Sequence, residues 1–121
     1  MSQRFPKAEK LKSRKTIKQL FEEGKSFTKF PIKVIYIPSE NKAATQAAFA
    51  VPKRNFKLAV SRNRIKRQLR EAYRLNKQGL LNNNSTKFAL LFLYLGKDNV
   101  AYDKIDKAMI SLLKKLHNET T

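Results

Sequence analysis

The alternation of apolar and polar positions divides the chain into a short series of helices and strands. After Ser13, a helix-capping residue type, the stretch RKTIKQLFEEG places Ile17, Leu20 and Phe21 at i, i+3 and i+4, and Gly24 supplies a stop. This predicts a short amphipathic helix. KFPIKVIYIP alternates and is rich in β-branched and aromatic residues, predicting a strand from Phe30 to Ile37. Ile32, Val34 and Tyr36 share one face of it, and Lys33, Ile35 and Ile37 the other, so both faces are expected to be covered. A second strand, AAFAV, runs from Ala47 to Val51 and is ended by Pro52.

The stretch from Ala59 to Lys77, AVSRNRIKRQLREAYRLNK, reads as a long helix. At about 100° of rotation per residue, Ile65, Leu69, Ala72, Tyr73 and Asn76 fall on one side, while Lys66, Arg67, Arg70, Arg74 and Lys77 fan over an adjacent side. Ser61 or Asn63 is the candidate cap. Phe88 to Leu95, FALLFLYL, is an unbroken apolar run of strand length, as expected of a central strand. A closing helix from Asp103 to His117 puts Ile105, Met109, Leu112, Leu113 and Leu116 on one stripe. The predicted order is α-β-β-α-β-α, a single α+β domain with helices packed on a small sheet, and a further short strand is open near residues 26–30 or 53–58. Residues 1–12 read as a loose basic terminus.

Charge changes this picture from a generic small fold to a polyanion binder. The 121 residues carry 27 Lys plus Arg against nine acids, a net charge of +18. Such an excess predicts attraction to phosphates. Between Ala59 and Lys77 the cations are stacked with Glu71 as the sole acid, whereas a solvated helix normally interleaves opposite charges at i and i+4. The basic helix lacks the broad apolar face of an interfacial membrane helix, and the longest apolar run is too short to span a bilayer. With no cysteine there is no disulfide, thiolate nucleophile or Cys-based zinc site. The N-terminus leads into no apolar signal core, so a soluble, cytoplasmic protein is expected.

Candidate chemistry within the chain is sparse. His117, the single histidine, sits near a helix C-terminus where a cation suits the dipole. Asp98, Asp103 and Asp106 are the only three acids close together, and capping or a solvated turn accounts for them better than a two-metal site does. No glycine-rich phosphate loop or Ser-His-Asp arrangement can be assembled. A reaction served by this protein is therefore expected to have its catalyst elsewhere.

The segment Lys53-Arg54, followed by Ala59-Val60-Ser61-Arg62-Asn63-Arg64-Ile65-Lys66-Arg67 and Arg70-Glu71, resembles the signature of the bacterial ribonuclease P protein subunit, in which an Arg-Asn-Arg core opens a basic helix. The similarity extends over the order of elements across residues 10–117. Two departures stand out: the family's glycine before the Arg-Asn-Arg core is missing from Asn55 to Leu58, leaving Asn55 as the residue that tolerates a left-handed backbone, and Ile17 stands where an aromatic is expected, with Phe21 keeping the second place.

The resemblance implies a fold similar to the second domain of ribosomal protein S5, with a left-handed β-α-β crossover around the basic helix. It also implies a partnership with a catalytic RNA that removes the 5′ leader of precursor tRNA endonucleolytically using Mg²⁺, the protein supplying binding and no catalytic residue. No membrane and no obligate protein partner is implied. Two surfaces follow as expectations. Lys53, Arg54, Arg62, Asn63, Arg64, Lys66, Arg67, Arg70 and Arg74 would bind the RNA subunit, with Asn63 either an RNA contact or a buried cap. Phe21, Phe27, Tyr36 and Lys53 would line a leader-binding cleft between the sheet and the first helix, Phe21 and Tyr36 being open to a core role instead. Phe56 is read either as core or as a base-stacking residue. The alternative function is a ribosomal-protein-like structural rRNA binder, and a double-stranded DNA binder comes third because no helix-turn-helix pair or dimer seam is present.

Overall fold

The computed structural model describes residues 10–38, 45–80, 87–98 and 100–119. Along the chain these form α1 (Arg14–Glu23), β1 (Lys25–Lys29), β2 (Ile32–Pro38), β3 (Gln46–Ala50), α2 (Ala59–Leu80), β4 (Phe88–Tyr94) and α3 (Tyr102–Glu119). The expected order is present with one added strand: KSFTK, mostly exposed, pairs antiparallel with β2 as β1. The turn between them holds the cis Phe30–Pro31 bond, and β2 accordingly starts at Ile32. Residues 53–58 form turns and no strand. The basic residues before Lys10, the chain between Pro38 and Thr45 and that between Leu80 and Lys87 lie outside the described residues.

The sheet order is β1-β2-β4-β3, so the apolar FALLFLY strand is central, as its composition predicts. Its pairing with β2 is antiparallel and with β3 parallel. Because β3 and β4 are parallel, the chain between them must cross over the sheet, and α2 is that crossover.

Alternation then sorts the side chains. Ile32, Val34 and Tyr36 of β2, with Leu90, Phe92 and Tyr94 of β4, face the layer formed by α2 and α3, where Ile65, Leu69, Tyr73, Ile105, Met109, Leu112 and Leu113 complete the main core. Ile35, Ala89 and Leu91 face the other way and are covered by Leu20 of α1, with Ile17, Ile37, Ala48, Ala50 and Leu93 half-buried at the margin. The molecule is three layers deep: α1, the sheet, then α2 and α3. Leu11 corrects the expectation of a loose terminus through residue 12, because its N–H donates to the Ala47 carbonyl at 2.9 Å and its side chain is buried in the α1-side core.

α1 is bounded as the sequence suggests. Ser13 Oγ accepts from the Thr16 N–H at 3.2 Å, and the Gly24 N–H donates to the Leu20 carbonyl at 2.9 Å. The glycine is needed for close approach and not for a left-handed turn. Its φ is −67°, and a Cβ there would stand 2.3 Å from the Leu20 carbonyl oxygen and 2.6 Å from Ile35 Cγ2.

Candidate nucleic-acid interface

α2 begins earlier than its polar residues suggest. The Leu58 carbonyl accepts from the N–H groups of Ser61 and Arg62 at 3.1 and 3.2 Å, which puts Ser61 and Asn63 inside the first turns and removes both as caps. Inside the helix the periodicity holds. Ile65, Leu69, Ala72 and Tyr73 are fully buried, and Asn76, on the same side, donates through Nδ2 to the Ala72 carbonyl and to Asp106 Oδ1 of α3, both at 2.8 Å.

The cations of α2 divide by position. Asn63, Arg64, Arg67 and Arg70 are exposed and Lys66 is half-buried, and among the described residues no carboxylate pairs with these four cations. Toward the C-terminus the charges are used internally. Arg74 grips Glu71 with two hydrogen bonds, an arrangement that lowers the Glu71 carboxyl below its usual range and raises the Arg74 guanidinium. Lys77 is buried beside the Tyr73 ring, 5.8 Å from its centroid, and burial lowers its ammonium below the ordinary lysine value. Arg62 also turns inward: its Nη1 donates to the carbonyls of Phe56 and Lys57 at 2.7 and 2.9 Å. Of the predicted phosphate contacts, therefore, Arg64, Lys66, Arg67 and Arg70 have no carboxylate partner among the described residues, while Arg62 and Arg74 have protein partners.

Lys53 and Arg54 are exposed at the tip of a turn closed by Asn55 N–H to Pro52 O and Phe56 N–H to Lys53 O, both 3.3 Å. No residue there needs the left-handed region, since among the described residues no non-glycine φ is positive. Phe56 is a core residue, 8% exposed and packed 5.8 Å from the Tyr94 ring, so it is not available to stack on a base. Leu58 and Val60 are exposed beside this turn.

The four predicted cleft residues do not converge. Tyr36 is 5% exposed on the α2–α3 face, stacked on Phe27 at 5.2 Å and edge-on to Phe88 at 5.7 Å, with Lys115 over the Phe27 ring. Phe21 is 60% exposed on α1, across the sheet. The reason is parity: α1 covers the face of β2 that carries Lys33, Ile35 and Ile37, and Tyr36 is out of phase with it. A row of incompletely covered positions does exist on that α1 face. The pairing register lines up Thr28, Lys33, Leu93 and Ala50 across all four strands, none of them fully buried. Ile17 and Phe21 sit on one flank of α1, and the opposite flank borders a polar cavity of about 650 Å³ lined by Lys15, Gln19, Glu23, Ile37 and Gln46. The row lies outside this cavity, at the end of the sheet from which β3 leads through Pro52 to Lys53. The sequence signal for this row was present in Lys33 and Ile35, the β2 residues of opposite parity to Tyr36.

Among the described residues no three His, Asp or Glu side chains converge as a metal-binding group. Asp103 pairs with Lys107 at 3.2 Å and Asp106 accepts from Asn76. No described helix is long and apolar enough to cross a membrane.

A parallel strand pair bridged by a helix with an unpaired cationic surface defines an α+β protein built to present a basic crossover helix. The chain belongs to the ribonuclease P protein family, whose model, Ribonuclease P, matches residues 5–117. Similar proteins include the ribonuclease P protein component of Porphyromonas gingivalis strain ATCC 33277, 37% identical over 85% of this chain and 79% of that protein, and that of Clostridium botulinum strain Langeland, 33% identical over 90% and 95%. In fold it is similar to the RNase P protein of Staphylococcus aureus, with a TM-score of 0.75 at 19% identity over 91% of this chain and 96% of that one. The RNase P protein from Thermotoga maritima gives 0.74 at 23% identity over 88% and 96%.

Proposed function

We propose that this chain is the protein subunit of a ribonuclease P, binding a catalytic RNA through the exposed cations of α2 and the 5′ leader of precursor tRNA in the groove beside α1. The observation that carries the reading is the unpaired surface of Arg64, Lys66, Arg67 and Arg70 on the crossover helix of a member of this family. Arginine suits this task because its planar fork meets phosphate oxygens two at a time. Lys53 and Arg54, presented at the turn before α2, extend the same basic surface.

In this reading the row and the exposed Phe21 together form a groove for an extended single strand. Leu93 and Ala50 give it an apolar floor, exposed Phe21 offers a ring on which a base of any identity stacks, and Lys33 and Lys53 supply charge toward the backbone. The chain's own residues bind and orient the substrate in this reading. In this reading the Mg²⁺ that the hydrolysis uses is held by the RNA.

The test is to purify the protein from its own cells at moderate salt and sequence the RNA recovered with it. A single structured RNA that cleaves precursor tRNA when recombined with the protein is expected, and ribosomal RNA in its place overturns the reading. With that RNA, Arg64→Ala and Arg67→Ala should each weaken binding and lower the slope of log K against log salt by about one.

A further inference from the structure

Arg62 and Arg64 flank Asn63 in the Arg-Asn-Arg core, yet two helix positions differ by about 200°, so the two arginines point to opposite sides of α2. Arg62 shares its side with Leu69, seven residues on, which is fully buried. At the first turn the Arg62 side chain meets the connector instead. There Nη1 donates to the Phe56 and Lys57 carbonyls, two acceptors just upstream of the helix. A cation in the first turn sits at the positive end of the helix dipole, where it is ordinarily unfavourable, and two charge-assisted bonds to carbonyls give it a specific reason to be there. The Phe56 side chain is anchored in the core at the same point. The connector is therefore held from within by its ring and from α2 by Arg62, and its tip is the turn that exposes Lys53 and Arg54.

We infer that Arg62 is a positioning residue which fixes the Lys53–Arg54 turn against the start of α2 and makes no phosphate contact of its own. The inference rests on the reading of α2 and this turn as an RNA-binding surface, and it assigns the first arginine of the motif to architecture and the second to phosphate.

The experiment is a mutant cycle in the full chain, measured with the RNA recovered from the cells across a salt series. Arg62→Ala is expected to weaken binding about tenfold in the otherwise native protein, the scale of a lost charged hydrogen-bond pair, and less than about twofold once Lys53→Ala and Arg54→Ala are already present. In that second background the salt slope should not change on adding Arg62→Ala, whereas Arg64→Ala should still lower it by about one. A further tenfold loss with a drop of one in slope, on adding Arg62→Ala there, overturns the inference. If Arg64→Ala leaves the slope intact, the α2 reading fails instead. Independent of RNA and of folding of the variants, phenylglyoxal modification of the native free protein should label Arg64 and Arg67 about tenfold faster than Arg62, whose guanidinium is engaged. Equal rates at the three arginines overturn the inference on their own.

Discussion

On the face of the sheet turned to α2 and α3, Ile32, Val34, Leu90, Phe92 and Tyr94 are completely buried and aromatic rings interlock from Phe27 through Tyr36 to Phe88. On the α1 face the sheet presents smaller or aliphatic side chains, Ile35, Ala89, Leu91, Ala48 and Ala50, and a single ten-residue helix packs chiefly on β2 and β4. The difference is one of cover. Two helices of 22 and 18 residues seal one side, and one short helix leaves a row of the other side open. Aromatic residues on a sealed face are spent on stability, while an aromatic at the margin of an open face is available to a ligand.

That contrast can be broken or sharpened by substitution. Tyr36→Ala should destabilise the protein by about 3 kcal/mol in urea unfolding, the scale of an aromatic removed from a core, and should affect leader-bearing and leaderless substrates alike. A selective loss with leader would place Tyr36 at the groove and undo the distinction. Gly24→Ala acts on the seam between α1 and the sheet. The added methyl clashes with the Leu20 carbonyl and Ile35, and about 2 kcal/mol of destabilisation is expected by the same measurement. Phe21→Ala should leave stability within about 0.5 kcal/mol yet weaken binding of leader-bearing precursors about tenfold, with leaderless tRNA unaffected. The last test leaves the protein unchanged at neutral pH. Burial raises the phenols of Tyr73 and Tyr94 on the sealed face above the ordinary tyrosine value. A raised folded value means their contribution is complete below the unfolded pKa near 10 and is lost as pH rises through the folded one. Ultraviolet titration should therefore show these phenolates appearing together with loss of circular dichroism, and early ionisation in a folded protein would contradict a sealed face.

Much of this architecture was legible in the sequence. The stripe Ile65, Leu69, Ala72, Tyr73 and the closing stripe of α3 follow from a 3.6-residue period, and the central position of β4 from its lack of polar interruption. β1 was hard to place because KSFTK carries one half-buried side chain and no apolar alternation, and its strand character comes from pairing with β2. The candidate groove was less legible for a different reason. Alternation states which residues share a face, but which face α1 covers is decided by how α1 folds back over the strands, so Tyr36 stays open between a cleft beside α1 and the core in the sequence alone. Charge counting likewise grouped Arg62 with Arg64, although their angular separation along a helix already distinguishes them.

The central strand is also among the last to be synthesised. β4 hydrogen-bonds to both β2 and β3, so β3 cannot join the β1–β2 hairpin in one sheet until residues 88–94 have left the ribosome, and the main core further needs Leu112, Leu113 and Leu116 of α3. The basic crossover helix emerges before either. Translation thus delivers a strongly cationic segment ahead of the scaffold that orients it, and long-range strand pairing of this kind closes slowly. Orientation of the basic helix therefore waits for β4 and α3, whereas the β1–β2 hairpin can close once residue 38 has emerged.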